Sequence, residues 1–233
     1  DELLILLKKA QVKIEFKSDF EQFKKYQLEG LKVNIFEEEF STLHKLFEGV
    51  SLLGDYSEKI KDQVIAFGEI LSAKYIAYVL NENSIKAQFT DTRQLIKTDD
   101  NFGNAQPIEE ISKQNVIAYF LENQDKVNIL TGFIGSNLNN ETTTLGRNGS
   151  NYTASLVANY LDAEEFQNYT HVDGIFTANP DLVADAKKIE RLSFNEANEL
   201  ATFGTQILHA KTIIPLVEKN IPLRILNTFN TES

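Results

Sequence analysis

The chain has 233 residues, of which 42% are hydrophobic and 24% are charged, so it can form one large α/β domain with a sizeable core. It has a formal net charge of -11, no basic patch and no cysteine, which argues against nucleic-acid binding and excludes disulfides, cysteine-based zinc sites and a cysteine nucleophile. The three histidines are too scattered for a metal site, and short apolar runs without a signal peptide predict a cytoplasmic protein with no membrane span.

The first part of the chain is predicted to be mostly helical. Apolar spacing indicates helices over residues 1–10, 18–28, 34–48 and 57–81. In the last of these, apolar residues three or four positions apart form one stripe: Ile60, Val64, Phe67, Leu71, Tyr75 and Tyr78. Residues 85–90 then alternate as a strand.

The rest of the chain alternates strands and helices. After a polar, turn-rich stretch at 95–106, the predicted elements are a helix over 109–122, a strand over 127–131, a hairpin over 136–144, a helix over 150–161, a strand over 166–172, helices over 193–202 and 204–219, and a strand over 223–226. Such alternation is typical of a layered α/β domain with a mostly parallel sheet.

Two glycine-containing segments have the composition of ligand-binding turns. Thr142–Tyr152 (TTTLGRNGSNY) leads into a helix whose first amides can bind an anion, and Arg147 can clamp a carboxylate; an ordinary glycine loop capped by Ser150 fits equally well. Thr131–Gly135 (TGFIG) follows a strand, where open α/β sheets bind ligands, but it also fits a plain tight turn with a buried Phe133.

Two further segments contain candidate polar residues. Glu69 lies on the striped helix, where it either points into a cleft to hold an ammonium group or faces solvent. In Tyr169–Asp181 (YTHVDGIFTANPD), a strand ends in a turn that can wrap a nucleotide. There His171 is either a phosphate contact or structural, and Asp173 is either a metal ligand or a turn former.

Taken in order, these segments resemble the aspartate kinase family. The matching motifs are Gly68–Lys74, Ile96–Ala105, Thr131–Gly135, Thr142–Tyr152, Thr170–Pro180, Phe203–His209 and Ile221–Asn230. The resemblance covers about residues 60–230 and is strongest to the kinase portion of bifunctional aspartokinase–homoserine dehydrogenases. It implies the amino-acid-kinase fold, a three-layer α/β/α sandwich with a mostly parallel central sheet of about eight strands.

The resemblance also implies a domain organisation. We expect one catalytic domain over residues 1–233, with a helical portion at 1–55 and a binding core at 56–230. The family's Lys-Phe-Gly-Gly-Thr-Ser motif is absent from residues 1–233, so we expect the first strands to be lacking, and we expect no regulatory domain within these residues. A homo-oligomer and fusion to a homoserine dehydrogenase are further expectations from the family.

By the same resemblance, specific residues take functional roles. Glu69 would hold the α-amino group of aspartate, Arg147 would hold a carboxylate, and Ser150 would lie near the phosphate. Phe133 and Gly135 would lie near the substrate. The nucleotide would be contacted by Thr170, His171, Phe176 and Gln206. ATP and Mg²⁺ would be the cofactors, and no residue is predicted as a metal ligand.

Four positions depart from the family pattern. The family usually has Asp at Asn151 and at His171, Arg at Asp181 and often Lys at Gln206. With Asp181 in place of Arg, an attractive charge contact with phosphate becomes a repulsive one. Gln206 can still donate a hydrogen bond, but it lacks the positive charge of Lys. The sequence therefore predicts an aspartate kinase that transfers the γ-phosphate of ATP to the β-carboxylate of L-aspartate. One alternative is a kinase-fold module without turnover that has a regulatory or assembly role. Another is a related amino-acid kinase that acts on a different carboxylate or a carbamate.

Overall fold

The protein forms two compact units, Asp1–Ser150 and Asn151–Ser233. The structure, a computed structural model, describes residues 2–178, 183, 185–196, 199 and 210–230. The described residues confirm the α/β class and the predominance of parallel pairing. They hold seven strands in three separate sheets, so the expected sheet of about eight strands is not confirmed. The predicted single domain over 1–233 stays a prediction.

The first unit begins with helices α1 (Glu2–Gln11), α2 (Lys17–Gln27), α3 (Glu37–Leu53) and α4 (Glu58–Glu82). It continues with β1 (Ala87–Thr90), a 3₁₀ turn (Thr92–Gln94), β2 (Lys97–Thr98), α5 (Glu109–Glu122), β3 (Val127–Leu130), β4 (Ile134–Asn137) and β5 (Thr142–Thr144). The helices predicted near residues 1–10, 18–28, 34–48, 57–81 and 109–122 are confirmed, with bounds shifted by up to five residues.

The strands of the first unit form two sheets. β1 pairs with β3 in parallel, and β4 pairs in parallel with β2 and antiparallel with β5. The β4–β5 pair is the hairpin predicted over 136–144, and its strands are buried at every position. The first glycine segment begins directly after β3, and the second contains β5 and continues beyond it.

The core of the first unit is rich in phenylalanine. Phe20 packs against Phe40 and Phe47 in edge-to-face geometry, with ring centroids 6.4 and 5.5 Å apart. Such pairs stabilise by about 0.5–1.5 kcal/mol beyond the burial of their area. These contacts join α2 to α3, and buried apolar residues from each of α1 to α4 belong to one cluster.

Helix α4 is the central helix of the first unit. Its N-cap Ser57 accepts a hydrogen bond from the amide of Ile60 at 3.4 Å, and the helix packs against α1, α3, β1, β3 and β5. By length and composition alone α4 could cross a membrane, so the expected absence of a membrane span stays a prediction. Core helices have the same composition, and α4 buries Val64 and Leu71 in this core.

The second unit contains most of α6 (Gly149–Tyr160), then β6 (Phe166–Thr170), α7 (Ala210–Lys219) and β7 (Leu223–Asn227). β6 and β7 pair in parallel from Phe166 opposite Leu223 to Thr170 opposite Asn227. The predicted helix at 150–161 and the strands near 166–172 and 223–226 are confirmed. Part of the helix predicted at 193–202 and the start of the helix predicted at 204–219 lie outside the described residues.

Candidate active site

Glu69 lies on α4 in a half-buried position. Its Oε1 accepts a hydrogen bond from the hydroxyl of Ser150 at 3.4 Å. Burial raises the pKa of Glu69 above its usual value, and the Ser150 hydrogen bond opposes this shift. One long hydrogen bond offsets little of the cost of burying this carboxylate, so the position favours a cationic partner, because an ammonium group would stabilise the charged form.

Glu69 and Phe133 both line a cavity of about 620 Å³. This volume lies in the range of small-molecule sites, about 300–1,000 Å³. A larger groove of about 1150 Å³ lies between α2 and α3, but its described lining includes none of the predicted site residues. We therefore place the candidate site at the smaller cavity, where a carboxylate with a raised pKa is present.

The two glycine segments interlock beside Glu69. Gly132 and Phe133 both have a φ of +60°, a conformation that costs a non-glycine residue free energy. A Cβ on Gly132 would lie 3.3 Å from Cα of Ser150, and a Cβ on Gly149 would lie 2.6 Å from Cδ2 of Phe133. The segments therefore approach as closely as only glycines allow, which holds Phe133 and Ser150 near one another.

Gly135 has a clear packing role in β4. It is buried, and an added Cβ would lie 2.8 Å from the carbonyl oxygen of Ile96 and 2.9 Å from Cγ2 of Thr98. Only glycine lets β4 lie this close to β2. The expected proximity of Gly135 to substrate stays a prediction, and the packing alone accounts for glycine at this position.

Arg147 lies exposed in the loop that joins β5 to α6. The loop turns at Gly146 and Asn148, whose φ angles are +74° and +58°. Within the described part of the chain, no carboxylate forms an ion pair with Arg147. An exposed guanidinium of this kind can receive a carboxylate through two parallel hydrogen bonds.

The sequence reasoning missed a buried carboxylate, Asp62, on the same helix as Glu69. Asp62 is fully buried and accepts hydrogen bonds from the backbone amides of Gly103 and Thr144 and from the hydroxyl of Thr144. Burial raises its pKa, and these three hydrogen bonds lower it in part. A lone Asp in a predicted buried helix was the available signal, because buried carboxylates need partners.

The predicted nucleotide residues belong to the second unit. Thr170 ends β6, and its hydroxyl lies 3.4 Å from Nδ1 of the exposed His171. This is the carboxyl end of a parallel strand, where open α/β sheets bind ligands. Phe176 is half-buried and bridges to Lys188. Gln206, together with Asp181, lies outside the described residues.

Asp173 organises the turn that follows β6. It accepts hydrogen bonds from the side-chain amides of Asn227 at 2.8 Å and Asn230 at 3.1 Å. These two hydrogen bonds lower its pKa. The contacts favour the turn-forming interpretation of Asp173. In the described ranges, no group of three or more His, Cys, Asp or Glu side chains is placed to hold a metal ion.

Comparison with known proteins identifies the family. The sequence profile of the amino acid kinase family matches residues 6–227. The chain belongs to the amino acid kinase family. This family member is 36% identical over 196 residues to lysine-sensitive aspartokinase 3 of Escherichia coli, a match that covers 82% of the chain and 43% of the relative. It is 34% identical over 193 residues to the chloroplastic bifunctional aspartokinase/homoserine dehydrogenase 2 of Arabidopsis thaliana, a match that covers 82% of the chain and 21% of that relative.

Solved structures of amino acid kinases agree with this assignment. The crystal structure of E. coli aspartokinase III in complex with aspartate and ADP matches with a TM-score of 0.86 and 32% identity, covering 99% of this chain and 54% of that one. The resemblance to aspartate kinases is confirmed, and the relatives include single-function and bifunctional enzymes. The chain spans about half or less of the length of these relatives.

Proposed function

We propose that this amino acid kinase is an aspartate kinase. It transfers the γ-phosphate of ATP to the β-carboxylate of L-aspartate and forms 4-phospho-L-aspartate, the first step towards lysine, threonine and methionine. The observation that carries the proposal is the half-buried Glu69 beside Ser150 and Phe133, in a chain that matches an aspartokinase with a TM-score of 0.86. The solved relative was crystallised with aspartate and ADP.

The first unit supplies the residues for aspartate. Glu69 would hold the ammonium group of aspartate, because its carboxylate is desolvated and, within the described part of the chain, accepts only a long hydrogen bond from Ser150. Arg147 would hold a carboxylate, since its guanidinium is exposed and suited to bidentate binding. Ser150 lies in the first turn of α6, whose helix dipole favours negative charge from a phosphoryl group.

Phosphoryl transfer depends on positioning and charge stabilisation more than on covalent chemistry by the protein. The described residues supply no set of three metal ligands, which fits Mg²⁺ held mainly by the phosphates of ATP with one or two protein ligands at most. Bound in this way, Mg²⁺ would neutralise charge on the phosphates. Thr170, His171, Phe176 and Gln206 are the proposed nucleotide contacts. A cytoplasmic location, homo-oligomerisation and fusion to a dehydrogenase stay predictions.

One observation favours the alternative of a kinase-fold module without turnover. His171 stands at the exposed end of β6, where the family usually has Asp, and its ring nitrogen Nδ1 lies within hydrogen-bond distance of the Thr170 hydroxyl and not of a carboxylate among the described residues. Asn151 likewise replaces a usual Asp. A protein of this second kind would bind aspartate without transferring phosphate.

Turnover by the full-length protein distinguishes the two functions. We expect ATP-dependent formation of aspartyl phosphate, trapped as its hydroxamate, that requires both L-aspartate and Mg²⁺. The reaction should be lost in Glu69→Ala, while Ser112→Ala on α5 keeps it, because Ser112 only joins α5 to β2. Aspartate binding by calorimetry without hydroxamate would instead support the module without turnover, and neither binding nor turnover would refute both.

A further inference from the structure

The carboxylate of Asp62 accepts hydrogen bonds from two segments, the end of β5 that precedes Arg147 and the turn that contains Gly103. Its Oδ2 accepts from the backbone amide of Thr144 at 3.0 Å and from that of Gly103 at 2.8 Å. Its Oδ1 accepts from the hydroxyl of Thr144 at 2.9 Å. Each contact is charge-assisted, which makes it stronger than a neutral hydrogen bond, and the two contacts with Thr144 are also buried from water. Asp62 therefore fixes both the backbone and the side chain of Thr144.

Thr144 is the last residue of β5 and lies three residues before Arg147. Its carbonyl oxygen accepts from the amide of Ala105 at 2.8 Å, so its amide, carbonyl and hydroxyl all have partners. The next amide, that of Leu145, donates to the carbonyl of Phe133 at 2.9 Å. The loop that contains Arg147 therefore begins after Thr144, a residue whose backbone and side-chain polar groups are all hydrogen-bonded.

The segment that contains Gly103 supports the same loop. An added Cβ on Gly146 would lie 2.5 Å from Oδ1 of Asn104, so Gly146 packs directly on this segment. Because Asp62 also binds the amide of Gly103, one carboxylate joins the two backbone segments that border Gly146. Removing this carboxylate would release both segments and leave their buried amides without an acceptor.

Asp62 and Glu69 share one face of α4. They are seven residues apart, which is about two helical turns and about 10.5 Å along the helix axis. The helix therefore carries one carboxylate that would meet the ammonium group of aspartate and another that holds the start of the Arg147 loop. A rigid helix is a suitable element to keep two such groups at a fixed separation.

We propose that Asp62 is a positioning residue for aspartate: through Thr144 and Gly103 it sets the place of Arg147 relative to Glu69. This inference rests on the proposed function of Glu69 and Arg147. Asp62 touches no substrate in this account and acts only through the loop. Arg147 would then lose its alignment with the substrate carboxylate when Asp62 is truncated, although its own side chain is unchanged.

Two variants of Asp62 separate geometry from charge. In Asp62→Asn the amide oxygen can accept from both backbone amides while the new NH₂ group donates to the hydroxyl of Thr144, so the loop should stay in place. In Asp62→Ala all three contacts are lost. We expect Asp62→Ala to raise the KM for aspartate about tenfold or more, since a misplacement of about 1 Å can cost about 100-fold. Asp62→Asn should stay within about threefold, and the KM for ATP should change little in either.

The test is a double-mutant cycle in the full-length protein, measured as kcat/KM for aspartate with Asp62→Ala, Arg147→Ala and the double variant. If Asp62 acts through Arg147, the double variant loses no more than Arg147→Ala alone. Losses that multiply, or an unchanged KM in Asp62→Ala, would overturn the proposal. Ser112→Ala is the matched control, because it removes a buried hydroxyl that joins α5 to β2 and should not affect aspartate use.

Hydrogen exchange gives a second measurement that does not need activity. In Asp62→Ala the amides of Gly103 and of residues 144–148 should exchange faster, while those of α5 should not. Where Asp62→Ala does not fold, Thr144→Val removes the hydroxyl contact alone and should show the same changes to a smaller extent. Unchanged exchange at 144–148 would refute the positioning role. Faster exchange in a protein without aspartate turnover would refute the proposed function and leave the anchoring of the loop established.

Discussion

Gly149→Ala tests whether the two glycine segments interlock as described. The new Cβ would lie 2.6 Å from Cδ2 and 3.2 Å from Cα of Phe133, and 3.3 Å from Cβ of Leu145. The second of these contacts is with backbone, and Phe133 already has a φ of +60°, so no simple rotation of one side chain relieves the overlap. Overpacking of this kind costs about 1–3 kcal/mol.

Gly49→Ala is the matched control for this substitution. Gly49 lies inside α3, and no atom lies within 4 Å of an added Cβ. The change should stabilise the helix by about 0.5–1 kcal/mol. The two glycine-to-alanine variants are therefore expected to shift stability in opposite directions.

Thermal unfolding and aspartate kinetics measure the outcome. The midpoint should fall in Gly149→Ala and rise in Gly49→Ala, by about 2–4 °C per kcal/mol for a chain of this size. Because Phe133 and Ser150 would be displaced, Gly149→Ala should also raise the KM for aspartate, and Gly49→Ala should not. A Gly149→Ala protein with wild-type stability and wild-type KM would refute the interlocked arrangement.

Three further predictions concern charged groups of the first unit. Arg147→Ala should raise the KM for aspartate about 10–100-fold, because a charge-assisted contact is lost, and it should leave the KM for ATP unchanged. An unchanged KM for aspartate in steady-state kinetics would contradict the role of Arg147 in binding a carboxylate. Burial raises the pKa of Glu69 above 4.5, so its charged form destabilises the folded state at neutral pH and ceases to do so below that value. Glu69→Gln should therefore raise the melting temperature at about pH 7 and have little effect at about pH 4, and equal shifts at both would contradict the burial of Glu69. Lys74 of the GEILSAK segment pairs with Glu39, whose side chain is only 11% exposed, so Lys74→Met should cost about 1–3 kcal/mol in unfolding measurements. The Glu39→Leu/Lys74→Met double variant should recover most of this loss, and a double variant as unstable as the single one would show that the ion pair is not the cause.

Most of the local structure was predictable because the patterns were periodic. The stripe from Ile60 to Tyr78 gave α4 to within one residue at each end, and the polar stretch after residue 136 gave the β4–β5 hairpin. These signals depend on neighbours in sequence, which a single chain displays directly. The division of the strands into three sheets depends on contacts between distant segments, and the periodicity of a sequence contains no information about such contacts.

Several residues of the candidate site could be predicted from the sequence, but the contacts that hold them in place could not. Glu69, Ser150 and Phe133 were each chosen from separate motifs, and the structure brings these three together. Asp62 was missed because its partners, Thr144 and Gly103, lie 82 and 41 residues away in sequence. The packing reason for Gly135 was missed for the same reason, since it depends on the carbonyl of Ile96.

The central claim is that Glu69 recognises the ammonium group of L-aspartate. The most direct measurement is the ratio of kcat/KM for L-aspartate to that for succinate, which has the same carboxylates without the amino group, in wild type and Glu69→Gln. The account predicts that wild type prefers aspartate by about 10–100-fold, as expected for one charge-assisted contact, and that Glu69→Gln loses most of this preference. Equal use of both acids by wild type, or an undiminished preference in Glu69→Gln, would contradict it.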